Sequence, residues 1–354
     1  MSAKAWWSPV ELGRHDHFVC SIAVSANGQW LATGDEQSHA RLWSLGNTTT
    51  IALDGHRDAV SSVAFATSDL LLTGSWDRTV RAWSIPSGEM VATLRGHVDR
   101  VEAVGWATSV RRVVSANEFG RVLEHTPDAV APVANWDAHA SRVRCLLVAG
   151  DGSWVSAGDD GRIVQRTASG RLHQLCWLGS ACYGLAEALG GGWWAVLAEG
   201  RLVRVSADGR VAPCAEDGSY LRAIATSPDG SRVAFGGKSG VLHLWSDDGL
   251  TVVTRAERTI LHVVWLDSRR LIMSGRDGLL VLAEEGVEGW SCHVLEGHSD
   301  HVFALVPVPG GFCTGSFDHR VLRWLRRGDT VTGDSIECPP CADGDETRQS
   351  GSRQ

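Results

Sequence analysis

With 354 residues, 44% of them hydrophobic, the chain carries enough apolar matter for a sizeable core, and length alone suggests about two domains. Net charge is −8, and about half of it belongs to residues 329–354, where six carboxylates face Arg348 and Arg353. The remainder, near −4, excludes the basic footprint of a nucleic-acid binder or of a protein held on an anionic membrane. No run of 18 apolar residues is available to cross a bilayer, and MSAKAWWSPVELG lacks the apolar centre of a secretory leader. Nine cysteines, scattered without disulfide spacing, point to free thiols and a cytoplasmic setting. Lys4 and Lys238 are the only lysines against many arginines, which reads as the codon use of a GC-rich, bacterial genome.

In chain order, a short extended run at residues 5–10 precedes HDHFVCSIAVSANGQWLATG, which starts at His15. Residues 55–84 read GHRDAVSSVAFATSDLLLTGSWDRTVRAWS, and GHVDRVEAVGW follows from Gly96. The loop histidines His15, His56, His97 and His139 lie 41, 41 and 42 residues apart. The next comparable one, His298, opens GHSDHVFALVPVPGGFCTGSFDHRVLRW and lies 159 residues beyond His139. Four periods of just under 40 fit that gap, whereas three would exceed the ~40–45 residues of such repeats. Three divergent repeats are therefore expected, starting near Ser180, Tyr220 and Thr259, for a total of eight; seven with an aberrant insertion is the alternative count. Each repeat offers alternating runs rich in Val, Leu, Ile and Trp, broken by Gly, Asp and Ser turns, the pattern of half-buried antiparallel strands. An outermost strand, such as residues 90–94, stands before each new histidine loop. No sustained 3.6-residue period argues for helix.

These motifs resemble the WD-repeat family. The resemblance implies an all-β fold: a closed β-propeller of eight four-stranded antiparallel blades, spanning residues 1–328 as one domain, followed by an acidic, disordered tail at 329–354. No outermost strand follows Trp324, so the N-terminal run is expected to complete the last blade and remove the two open sheet edges. In the family a loop His, a second-strand Ser or Thr, a hairpin Asp and a third-strand Trp form one hydrogen-bonded chain. By motif match two repeats hold the whole set: His56, Thr73, Asp77 and Trp83, then His298, Thr314, Asp318 and Trp324. The first repeat has Gln37 where the Asp is due, the third has Phe119 and His125 for Asp and Trp, and the fourth has Arg166 for Trp. Repeats five to seven have lost most of the set, and they are expected to rest on apolar packing and to be the softest sector.

The resemblance also directs partners to the face that carries the histidine loops. Three positions per repeat point there: the residues before and after the first-strand Val, and the one before the hairpin Asp. They present Phe18, Trp76, Phe303 and Phe317 as an aromatic anchor across the ring closure. They present Arg100, Arg142, Arg144, Tyr220, Arg222, Lys238 and Arg276 as a facing sector suited to carboxylate or phosphate. The expectation is a non-enzymatic scaffold or adaptor that recognises a protein or peptide with apolar and acidic features. It would be a monomeric propeller within a larger cytosolic complex, with no catalytic residue, metal, cofactor, nucleic acid or membrane. An enzyme with a channel-mouth site and a structural subunit docking by its rim are the competing readings. GGKSG at 236–240 lacks the rest of a phosphate loop, and Cys338 and Cys341 in the tail form a lone CxxC with no second pair.

Overall fold

The structure, a computed structural model, describes residues 7–326. They form 32 strands and no helix, arranged as eight antiparallel sheets of four strands each. In seven sheets the strands follow chain order from innermost to outermost. The eighth is composite: Trp7–Arg14 pairs antiparallel with Arg320–Arg326, so the start of the chain supplies the outer strand of the last blade. That strand runs further along the sequence than residues 5–10, because pairing continues through a bulge at Glu11/Gly13 until Arg14 faces Arg320. The acidic tail expected at 329–354 lies outside the described residues.

Each innermost strand contacts the innermost strands of both neighbours, and the contact between blades eight and one shuts the ring. The apolar core is accordingly divided into eight clusters, one at each interface between blades. The cluster joining blades one and two contains Leu42, Val60, Leu71 and Trp83, while the one joining eight and one contains Val19, Leu31, Trp43 and Val321. The Gly of the recurring Thr-Gly pair belongs to this packing. A Cβ on Gly34 would stand 2.6 Å from Val60, on Gly74 2.8 Å from Val101, and on Gly315 2.4 Å from Val19. The first-strand valine of each following blade presses onto the backbone there, and only glycine leaves room.

One irregularity recurs around the ring. In seven blades the innermost strand bulges just after its first residue, between Val19/Ser21, Val101/Ala103, Val143/Cys145, Cys182/Gly184, Leu221/Ala223, Ile260/His262 and Val302/Ala304. The expelled residues are Cys20, Glu102, Arg144, Tyr183, Arg222, Leu261 and Phe303. A bulge leaves its extra residue outside the ladder and re-aims the side chain.

Candidate functional site

The tetrads frame the loop-bearing face. In blade two His56 Nε2 lies 2.7 Å from Thr73 Oγ1, His56 Nδ1 lies 2.9 Å from Asp77, and Trp83 donates to Thr73 at 2.9 Å. Blade eight repeats this with His298, Thr314, Asp318 and Trp324 at 2.7 to 2.9 Å. Burial opposes ionisation of Asp318, but the hydrogen bond from His298 overrides it and draws the carboxyl down to about 2. Blade four keeps His139, Ser156 and Asp160; Arg166, at the Trp position, sits 3.1 Å from Glu124 of blade three.

Two blades correct the sequence expectation. Blade one does not lack its aspartate. Asp35, at the end of the second strand and two residues before Gln37, meets His15 Nδ1 at 3.1 Å and His39 Nδ1 at 3.0 Å. Against its burial these bonds hold Asp35 at about 2. Blade six, expected to rest on apolar packing, contains an inverted chain. Asp217 occupies the loop position and bonds Ser239 at 2.9 Å and His243 Nε2 at 2.6 Å, while Phe235 stacks on His243. A search for an aspartate at the hairpin offset passes over the first arrangement, and a search for a leading histidine passes over the second. In blade three Phe119 leaves His97 with Ser115 alone, and burial, then His125 and Arg121, push His97 down to about 3.

The three face positions of each blade are tied together by the backbone. The residue before the hairpin Asp donates its amide to the carbonyl of the residue before the first-strand Val: Glu36 to Phe18, Trp76 to Ala59, Glu118 to Arg100, Asp159 to Arg142, Ala198 to Ala181, Lys238 to Tyr220 and Phe317 to His301, at 2.8 to 3.1 Å. The bond is absent from blade seven, between Arg276 and Thr259.

On this frame the aromatic residues divide. Phe18 stacks on Phe317 at 4.4 Å and 11°, and Phe317 on Phe303 at 5.5 Å and 25°, an unbroken ladder from blade one into blade eight. His319 and His301 pack edge-on at its flanks. Arg222 reaches past blade seven to lie 4.9 Å over the Phe303 ring. Beneath it His262 is held at about 4, first by burial and then by Arg222. Trp76 belongs elsewhere: its ring lies under Arg100 at 4.4 Å.

The cationic sector is less available than its sequence suggests. Arg144 makes a two-pronged bond to Asp159 at 2.7 and 2.8 Å and covers Tyr183, which packs edge-on with Tyr220. Arg142 binds Glu102 at 2.7 Å, and Glu118 stands within 4.0 Å of both Arg142 and Arg100. Glu102 is pushed upward by its burial, which the Arg142 bond only partly offsets. Arg142 and Arg144 are therefore neutralised within the molecule. Among the described residues Arg222, Lys238 and Arg276 form no ion pair. Sequence reasoning overlooked a further cationic group. A cleft of about 550 Å³ between blades two and three gathers Arg57, Arg78, Arg81, Arg95 and Arg100 around Trp76. Its aspartates are already engaged, Asp77 by His56, Asp58 by the Ala59 amide and Asp99 by the Arg100 amide. The signal was present as arginines beside the tetrad positions of blade two, Arg57, Arg78 and Arg81.

A family model described as "WD domain, G-beta repeat" matches residues 8–44, 47–84 and 131–165. The chain is 27% identical over 334 residues to the ribosome biogenesis protein WDR12 homolog of Chlamydomonas reinhardtii, covering 85% of this chain and 70% of that one. It is 27% identical over 164 residues to the U3 snoRNP-associated protein-like EMB2271 of Arabidopsis thaliana, covering 46% of this chain and 33% of the relative. Its fold matches the crystal structure of the computationally designed Ika8 protein with a TM-score of 0.78 and 20% identity, over 89% of this chain and 98% of that one.

Proposed function

We propose that this eight-bladed β-propeller, whose residues 8–44, 47–84 and 131–165 match the WD-repeat model, is a non-enzymatic scaffold whose loop-bearing face captures a protein segment with an apolar anchor and acidic flanks. The observation that carries this reading is the ladder Phe18–Phe317–Phe303 with Arg222 laid over its inner end. Three half-exposed rings from two blades offer a flat apolar platform that needs no rearrangement to receive an aromatic or aliphatic side chain. Three cations without an ion pair among the described residues lie on this side of the ring, Arg222 at the ladder, Lys238 in the same blade and Arg276 in the blade between, and the arginine cleft around Trp76 adds positive charge between blades two and three. An acidic segment lying over the face would meet them, and Arg142 and Arg144 would serve to hold the loops.

The names of two relatives speak of ribosome biogenesis and of association with U3 snoRNP, which supports work inside an assembly. We extend this to a monomeric propeller as one subunit of a cytosolic complex, free of nucleic-acid contact of its own given its acidic balance. The test is affinity purification from the native host with the wild-type chain and with Phe303→Ala/Phe317→Ala. The co-purifying set should be lost from the variant while its thermal transition stays close to wild type. Retention of the same partners, or crosslinks that map only to the outer strands, would replace face recognition with docking through the rim.

A further inference from the structure

Blade seven is built differently at its loop. In blades two, four and eight the hairpin aspartate accepts three kinds of donor. Asp77 takes His56 at 2.9 Å, the Arg57 amide at 3.1 Å and the Thr79 amide at 2.9 Å. Asp160 takes His139, the Ala140 amide and the Arg162 amide at 2.9 to 3.1 Å. Asp318 takes His298, the Ser299 amide and the Arg320 amide at 2.9 to 3.0 Å. Asp277 holds the same place in blade seven, yet among the described residues it keeps only the last of these, from the Leu279 amide at 3.1 Å.

The cause is readable in the chain. Ala256 stands four residues before Ile260, as His56 stands four before Val60, so the imidazole is missing. Met273 replaces the second-strand threonine, and the backbone bond that draws the hairpin to the loop in the other seven blades is absent. Blade five has also lost its histidine, but there Leu178 fills the loop position and joins the core, and the hairpin Glu199 is paired with Arg201. Blade seven is not filled. A cleft of about 350 Å³ remains against the outer strand of blade six, lined by Ala256, Met273, Asp277, Val281, Cys292 and Val294.

We propose that this cleft is a binding site for a small ligand of the imidazole or amine class, one that presents an N–H donor to Asp277 and rests an apolar body on Met273, Val281 and Val294. Asp277 lines the cleft, and among the described residues neither a histidine nor a loop amide donates to its carboxylate. A charge-assisted bond there is worth about 1.5–3 kcal/mol. The volume falls at the lower end of the range of about 300–1,000 Å³ typical of ligand pockets, and it accommodates a five-membered ring with a short arm. Arg255 and Glu257, both at the mouth, offset each other, so selection for a donor rests on Asp277. The site does not depend on the face reading above.

Calorimetric titration of the full chain with histamine, an imidazole bearing an ammonium arm, tests the proposal. Saturable one-to-one binding is expected, weakened about tenfold or more by Asp277→Asn. Ala256→His, which returns the missing ring to its seat, should abolish binding and raise the thermal midpoint. Thermal midpoints of both variants separate loss of the site from loss of the fold. The proposal is overturned by no binding at millimolar histamine, by binding that either variant leaves unchanged, or by a lower midpoint in Ala256→His.

Discussion

Blades two and seven occupy equivalent positions in one ring, share the same four-stranded ladder, and differ in what happens at the loop. In blade two a buried histidine spans two strands and a loop, so hairpin, ladder and loop move as one body. In blade seven the ladder persists while the loop lacks any bond to its own hairpin aspartate, and a cleft opens. The ladder and the interblade cores therefore suffice to make a blade, and what occupies the loop position, the polar chain or in blade five Leu178, decides whether its loop-bearing end is shut. Specificity of packing at that end is a separate layer added over a sheet that forms without it.

The largest test of this contrast removes the histidine. His56→Ala or His298→Ala takes one partner each from a buried carboxylate and a buried threonine, opens a cavity between them, and should cost about 3 kcal/mol. Asp277→Ala should stay within about 0.5 kcal/mol, because that carboxylate anchors only one amide. Urea midpoints of the variants provide the measurement, and equal losses in both blades would erase the distinction.

A finer test concerns the two unorthodox chains. Asp35→Ala and Asp217→Ala should each cost about 2 kcal/mol, whereas Gln37→Ala, at the position where the motif expects an acid, should be close to neutral. A neutral Asp217→Ala would return blade six to the apolar class with blades five and seven.

The smallest effect is a pH dependence in blade three. An unfolded chain takes up a proton on His97 near pH 6.5, while the folded chain refuses it until about pH 3, so stability falls as pH drops through that window. His97→Gln should flatten the slope by up to one proton, about 1 kcal/mol at pH 5.5 relative to pH 7. Below pH 4 the folded carboxyls of Asp35 and Asp318, held at about 2, supply a further loss that the variant leaves in place. An unaltered slope between pH 7 and 5 would mean that His97 is not the group refusing the proton.

Much of the architecture was legible in the residues. The spacing of the loop histidines set eight blades, and the missing strand after Trp324 required the N-terminus to fill it. Both full tetrads were readable because all four members keep their offsets. What escaped depended on partners outside a single repeat or on altered order. Arg142 finds Glu102 in the preceding blade, 40 residues away, and no motif within one repeat discloses that pairing. Asp35 reaches His15 from two residues early, and Asp217 and His243 exchange the acid and the base between loop and strand. The cleft at blade seven is legible only as a combination of small or misplaced side chains, Ala256 with Met273, whose joint effect is a volume.

The aromatic ladder joins residues 18 and 317, so its two halves leave the ribosome about 300 residues apart. At about 5–20 residues per second the first ring waits on the order of tens of seconds for its mate. Blade eight likewise stays incomplete until its closing strand, already synthesised, finds Arg320–Arg326. A nascent or truncated product thus carries neither a finished disc nor the platform on it.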